Sequence, residues 1–213
     1  MNGLIYTGGT WPEKAVAQAL AAQADISICC DGAADKVLAC GLMMDVLLGD
    51  MDSIDPETLR LVQEGPKRPK ILRLPVEKDW TDTEYAVSYA LEQGCKRLVF
   101  CGGLGERMDH SLGQIQILYS LCKKKFPHAL YAKNTFAVAF DEAYAFDAVP
   151  EQTFSLLPFE DNCCITIAGA KYPLSHHPLP MGKTLGVSNQ AMEKRVEIRV
   201  HQGAVLLLVL DRV

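Results

Sequence analysis

The chain has 213 residues, 49% of them hydrophobic and 22% charged, with 21 Lys and Arg against 26 Asp and Glu. That size fits one large domain or two small ones with an ample core, and a net charge of -5 excludes a basic nucleic-acid footprint. A polyanionic substrate would need a metal ion or local basic residues.

The run Met1-Asn2-Gly3-Leu4-Ile5-Tyr6 has no basic segment leading into a long apolar stretch, so neither a signal nor a transit peptide is expected. The apolar run 204–210 is too short to span a bilayer. A cytoplasmic protein with no membrane partner is the expectation. The eight cysteines, at 29, 30, 40, 95, 101, 122, 163 and 164, lie mostly in apolar runs and form no C-x-x-C, which predicts free thiols rather than a zinc site.

A first strand over 4–6 ends in Thr7-Gly8-Gly9-Thr10, and Pro12 opens an alanine-rich helix to about residue 24. The strand 26–30 ends in Asp31-Gly32, and a short helix runs to Cys40 and Gly41. Val46-Leu47-Leu48 has the continuous apolar character of a strand buried on both faces. Gly49 lets the chain turn, and Asp50 and Asp52 follow at i and i+2, so both side chains of an extended segment point one way. Two roles fit this stretch: an oxygen grip on a hard cation, or an ordinary Asp-rich turn ahead of Asp55-Pro56, where a helix over 56–64 is predicted.

A fourth strand, 71–74, leads into Lys78-Asp79-Trp80-Thr81-Asp82-Thr83-Glu84. Thr81 with Glu84 three residues later is a capping-box pattern, predicting a helix to about residue 93 with Asp82 in its first turn. Lys78 could pair with phosphate or with Glu77. The strand 97–101 runs into Gly102-Gly103-Leu104-Gly105-Glu106-Arg107-Met108-Asp109-His110 and a helix through Cys122. Glycines at such a junction either free backbone amides to cradle phosphate or only pack helix against strand.

Beyond about residue 134 the βα rhythm gives way to hairpins, with strands predicted over 136–140, 153–157, 165–167, 171–174, 196–200 and 205–210 and an irregular loop over 175–189. His176 and His177 are expected to be solvated there. A second, all-β module follows from this change. In a parallel sheet the ends carrying Asp31, Asp50 and Asp52, Asp79 and Asp82, and 102–110 share one edge. Their mutual repulsion calls for a cation, and Mg²⁺ with a nucleoside triphosphate suits such an edge.

Asp31-Gly32-Ala33-Ala34, Gly49-Asp50-Met51-Asp52-Ser53, Lys78-Asp79-Trp80-Thr81-Asp82, Gly102-Gly103 with Arg107-Met108-Asp109-His110, Gly169-Ala170-Lys171-Tyr172-Pro173-Leu174 and Gly186-Val187-Ser188-Asn189-Gln190 resemble, in order and spacing, the motifs of the thiamine pyrophosphokinase family. Glu106 and Gln190 depart from its pattern, standing where a small residue and an acid are expected. The resemblance implies a Rossmann-like, mostly parallel α/β domain over 1–136 and a β-sandwich domain over 137–213. It further implies a homodimer sharing its thiamine site, and pyrophosphoryl transfer from ATP to the hydroxyl of thiamine. On the strand-end acids and this resemblance, Asp50, Asp52 and Asp82 would hold Mg²⁺, and Asp79 or Asp82 would orient the hydroxyl. Asp31, Gly102, Gly103, Arg107, Asp109 and His110 would face the nucleotide, with helix capping the alternative for the last two. Ser188 and Asn189 would meet thiamine. A pyrophosphokinase for another small alcohol, or a non-catalytic nucleotide or thiamine sensor, are the rival functions.

Overall fold

A computed structural model describes residues 1–65, 68–105 and 107–210. The chain divides into two compact units, one of residues 1–114 with 130–133 and the other of residues 115–129 with 134–213. The α/β unit is built on strands β1 (Asn2–Tyr6), β2 (Ile26–Cys30), β3 (Val46–Gly49), β4 (Lys70–Arg73) and β5 (Arg97–Cys101). All pair in parallel in the order β5-β1-β2-β3-β4. Helices α1 (Lys14–Ala22), α2 (Ala33–Ala39), α3 (Pro56–Glu64) and α4 (Asp82–Glu92) supply the crossovers, and α5 (Met108–Lys123) begins in this unit.

Local chemistry sets the bounds. Val46, Leu47 and Leu48 are all buried, as a strand covered on both faces requires. Asp55 caps α3 by accepting from the Glu57 amide at 2.9 Å and the Thr58 amide at 3.3 Å, with Pro56 at the first helical position. Helix α4 opens on a complete capping box: Thr81 Oγ1 accepts from Glu84 N, and Glu84 Oε2 accepts from Thr81 N. It closes on Gly94 at φ 84, with the Cys95 amide donating back to Ala90 O at 3.0 Å.

Strand β6 (His128–Ala132) follows α5. The second unit then forms two antiparallel layers. One contains β7 (Thr135–Phe140), β9 (Thr153–Pro158), β12 (Asn189–Gln190) and β14 (Val205–Leu210), in the order β12-β9-β14-β7. The other contains β8 (Ala143–Asp147), β10 (Cys164–Ala168), β11 (Leu174–Pro178) and β13 (Arg195–Gln202), in the order β11-β10-β13-β8. Val196, Ile198 and Val200 alternate inward with exposed Arg195, Glu197 and Arg199, and meet Phe154, Leu156 and Leu207 of the first layer in one apolar core. The whole is therefore a mixed α/β fold with a parallel-rich sheet and a separate sandwich-like antiparallel region.

Four elements differ from the sequence reading. Strands β6, β8 and the short β12 stand where none was predicted, and the strand expected at 171–174 instead occupies Leu174–Pro178, inside the stretch read as an irregular loop. Strand β11 is an edge with four exposed residues, so no apolar alternation betrays it. His176 and His177 thus lie exposed on an edge strand, with the His176 ring 4.4 Å from that of His201. All eight cysteines are free thiols, and most are buried.

Candidate active site

The acids of the carboxyl edge gather around one tight junction. Asp31, leaving β2 at φ 40, is 8% exposed. Its amide donates to Leu48 O at 2.8 Å, and its Oδ1 accepts from Met51 N at 3.0 Å. Gly49 has φ 146, and a Cβ there would lie 2.8 Å from Asp31 Cβ. Only glycine lets β3 end against Asp31 without a clash. Beyond it, Asp50 Oδ1 accepts from Asp52 N at 3.2 Å, an Asx turn, and Ser53 Oγ donates to Asp52 Oδ1 at 2.9 Å. One carboxylate oxygen from each of Asp31, Asp50 and Asp52 comes within 4.8 Å of the others.

Burial pushes the Asp31 carboxyl up; the Ser53 hydroxyl opposes this, and the charges of Asp50, Asp82 and Asp52 reinforce it. The Asp52 amide, and further out the Lys78 ammonium, hold Asp50 below its ordinary value. The donor set is all carboxylate oxygen, which suits a hard divalent cation such as Mg²⁺. Asp82 adds a further hint, since its buried Oδ1 accepts no hydrogen bond among the described residues. Lys78 Nζ lies 3.1 Å from that oxygen as an ion pair, outside hydrogen-bonding angles. These residues fit a divalent ion.

Lys78 is the residue whose place the sequence left open. It pairs with Asp82 and Asp50 rather than Glu77, at 3.1 Å and 3.7 Å, and donates to Pro75 O at 3.2 Å. Its side chain is 10% exposed. Burial alone would lower its pKa, but Asp82, Asp50 and Asp31 outweigh burial and raise it. Asp79 and Trp80 beside it are exposed, the indole resting 5.5 Å from the Tyr85 ring. Of the four acids read as metal or hydroxyl partners, Asp50 and Asp52 lie together and Asp82 joins Asp50 through Lys78, while Asp79 faces solvent. Asp31, read as a nucleotide contact, sits in the carboxylate cluster itself.

The glycine turns are sewn to each other. Gly102 donates its amide to Tyr131 O at 2.8 Å, Gly103 to Gly8 O at 2.7 Å, and Gly105 to Ser111 Oγ at 3.0 Å. A Cβ on Gly102 would lie 2.5 Å from Thr7 O and 2.6 Å from Gly8 O. These glycines permit close approach of the turns after β1 and β5, and the Gly102 and Gly103 amides are engaged within the protein rather than turned toward phosphate. Thr7-Gly8-Gly9 is the missed half of this arrangement, and its paired glycines after the first strand were the available signal. Arg107 closes on Asp109 at 2.7 Å, both well exposed, which holds the Asp109 carboxyl far below the usual range. His110 is exposed beside them, and Glu106 lies outside the described residues.

In the second unit Asn189 is 5% exposed. Its Oδ1 accepts from Tyr172 N at 3.1 Å and Gln190 N at 2.9 Å, and its Nδ2 donates to Tyr172 O at 2.9 Å. The side chain thus braces the 171–173 turn. Ser188 is exposed at φ 59, its amide donating to Ser155 Oγ at 3.0 Å. Gln190 Oε1 accepts from Lys171 Nζ at 2.9 Å.

Comparison with known proteins meets this geometry from another side. Residues 17–130 match the family described as thiamin pyrophosphokinase, catalytic domain, and residues 141–205 match thiamin pyrophosphokinase, vitamin B1 binding domain. The thiamine pyrophosphokinase of Bacillus subtilis (strain 168) is 30% identical over 176 residues, 81% of each chain. A crystal structure of thiamine pyrophosphokinase from Bacillus subtilis superposes with a TM-score of 0.88 at 24% identity over the whole of both chains. Thiamin pyrophosphokinase from Candida albicans gives 0.81 at 16% identity, over 99% of this chain and 89% of that one. The structural likenesses speak to the fold, whereas the family matches span most of the sequence, including every acid of the carboxylate cluster. The chain belongs to the thiamine pyrophosphokinase family.

Proposed function

We propose that this chain transfers the pyrophosphoryl group of ATP to the hydroxyl of thiamine, giving thiamine diphosphate and AMP. The observation that carries the reading is the junction of Asp31, Asp50 and Asp52 at the carboxyl edge of a parallel sheet, inside a catalytic-domain match. The α/β segment 1–136 acts as a Rossmann-like nucleotide domain, and 137–213 as the thiamine domain, in keeping with a vitamin B1 binding match over 141–205. Asp31, Asp50, Asp52 and Asp82 would hold Mg²⁺. That ion, when bound, neutralises charge on the β- and γ-phosphates.

The thiamine hydroxyl oxygen attacks Pβ of ATP, the bond from Pβ to the oxygen bridging it to the α-phosphate breaks, and that oxygen leaves with AMP. The hydroxyl proton passes to a carboxylate, Asp82 or Asp79, and then to solvent. Because such transition states are loose, aiming the hydroxyl counts for more than removing its proton. Arg107 is exposed and, among the described residues, its ion pair is with an equally exposed Asp109, so exchanging that partner for phosphate oxygens costs little. Ser188 and Asn189 contribute to the thiamine pocket: Ser188 by direct contact, Asn189 by holding the Tyr172 backbone. A homodimer sharing the thiamine site is the proposed assembly. The cytoplasm is the proposed compartment, and no helix among the described residues is long and apolar enough to cross a membrane.

The test is AMP release from ATP with and without thiamine, in wild type, Asp50→Asn and Asp82→Asn. Both variants should lose at least about a hundredfold in kcat, the scale of removing one group aimed at developing charge. Near-wild-type turnover with unchanged Mg²⁺ demand in either variant would refute the metal assignment, and thiamine-independent AMP release would refute the acceptor.

A further inference from the structure

The cluster carries its own cation. Lys78 Nζ sits 3.1 Å from Asp82 Oδ1 and 3.7 Å from Asp50 Oδ2, and Pro75 O accepts from it at 3.2 Å. At 10% exposure the lysine side chain is not a surface ion pair, and salt screens such a charge poorly. Asp50 has both oxygens engaged, Oδ1 by the Asp52 amide and Oδ2 facing the ammonium. A divalent ion drawing on Asp50 and Asp82 must therefore approach an ammonium already placed between them, and the two positive charges repel each other at short range.

We propose that Lys78 is a tethered counter-cation that keeps bare divalent metal out of the carboxylate cluster and yields its place only when a triphosphate arrives with the metal. The inference rests on the metal–ATP reading given above and deepens it. Lys78 is held by one backbone carbonyl and two carboxylates, all on the same edge, so its ammonium can turn to phosphate oxygens without leaving the site. Triphosphate supplies the anionic partners that the ammonium gives up, while metal alone supplies none. Metal and nucleotide then enter together, because each lowers the cost of accommodating the other.

A purely structural brace makes a different prediction: removing Lys78 would loosen the 75–82 segment and weaken every ligand. The two ideas part in sign. Binding of Mn²⁺ alone is measured by electron paramagnetic resonance of the free ion, and binding of α,β-methylene-ATP in EDTA by calorimetry, for wild type, Lys78→Met and Lys78→Gln. The expected result is bare Mn²⁺ binding at least tenfold tighter in both variants, and metal-free triphosphate analogue binding at least tenfold weaker. Thermal melting identifies any variant that fails to fold, and the other then carries the comparison. Mn²⁺ affinity that is unchanged or lower in the folded variants overturns the proposal, as does analogue binding that is not weakened. Neither readout uses thiamine or turnover, so failure here and failure of the proposed reaction are told apart.

Discussion

Replacing Gly49 by alanine tests the junction on which the site is built. At φ 146 an alanine is strained, by about 1–3 kcal/mol. Its Cβ would also stand 2.8 Å from Asp31 Cβ and 3.1 Å from Asp31 Oδ1. Asp31 cannot step aside cheaply, since its amide is bonded to Leu48 O at 2.8 Å and its Oδ1 to Met51 N at 3.0 Å. Overpacking of this kind adds about 1–3 kcal/mol, for a total of about 2–6 kcal/mol. Gly94→Ala is the internal control: φ is 84 but nothing lies within 4 Å of the added methyl, so only backbone strain of about 1–2 kcal/mol remains. For a chain of this length each kcal/mol lowers Tm by about 2–4 °C. Scanning calorimetry should therefore place Gly49→Ala below Gly94→Ala, and AMP release should fall about tenfold or more in Gly49→Ala alone, because a carboxylate displaced by tenths of an ångström loses its share of the cluster. If Gly49→Ala melts no lower than Gly94→Ala and turns over like wild type, the contact with Asp31 does not organise the site.

Thr81→Ala removes the Oγ1 that accepts from Glu84 N, costing about 1 kcal/mol, and its effect should be less than additive with Glu84→Ala in a double-mutant cycle, since both break one capping box; kcat should fall with it because Asp82 is the first residue of α4. His128 is held neutral, with Nδ1 2.8 Å from Phe126 O and Nε2 accepting from Ala139 N at 3.3 Å, and burial lowers its pKa against the smaller upward pull of that carbonyl. Below about pH 6.5 the unfolded imidazole takes up a proton that the folded one resists. Stability by urea denaturation should thus be full above that pH, drop as pH falls through it and level off below the folded pKa. His128→Gln should flatten this slope, and an unchanged slope would clear the residue of the role. Asn189→Ala leaves the Tyr172 amide and carbonyl without their side-chain partner, costing about 1–3 kcal/mol, and KM for thiamine should rise more than KM for ATP.

What could be read from the sequence was what neighbouring residues decide among themselves. Helix α3 spans Pro56–Glu64 as predicted because its cap and its first-turn proline are adjacent in the chain, and the capping box of α4 needs only the four residues from Thr81 to Glu84. Strands β5 and β14 match their predicted bounds because a continuous apolar run reports burial on its own. Edge strand β11 escaped because an exposed edge imposes no pattern on its side chains, and nothing local says that the Asn189 amide braces the Tyr172 backbone, 17 residues away. The glycine turn after β5 met its partner after β1 only once those two strands became neighbours, with Tyr6 opposite Cys101.

The same distinction explains the carboxylate cluster. That Asp31 and Asp50 meet depends on β2 and β3 pairing with Cys30 opposite Leu48, a register the apolar runs permit but do not dictate. Once that register is set, the acids at the two strand ends have no freedom to separate, and each added carboxylate raises the cost of the last. A site built that way needs positive charge whether or not a metal is at hand. Lys78, four residues ahead of Asp82 and 3.1 Å from it, supplies that charge from within the chain. The acids alone argued for a cation; the lysine enclosed among them argues that the fold already holds one, and so shifts the question from which metal binds to what must displace the ammonium first.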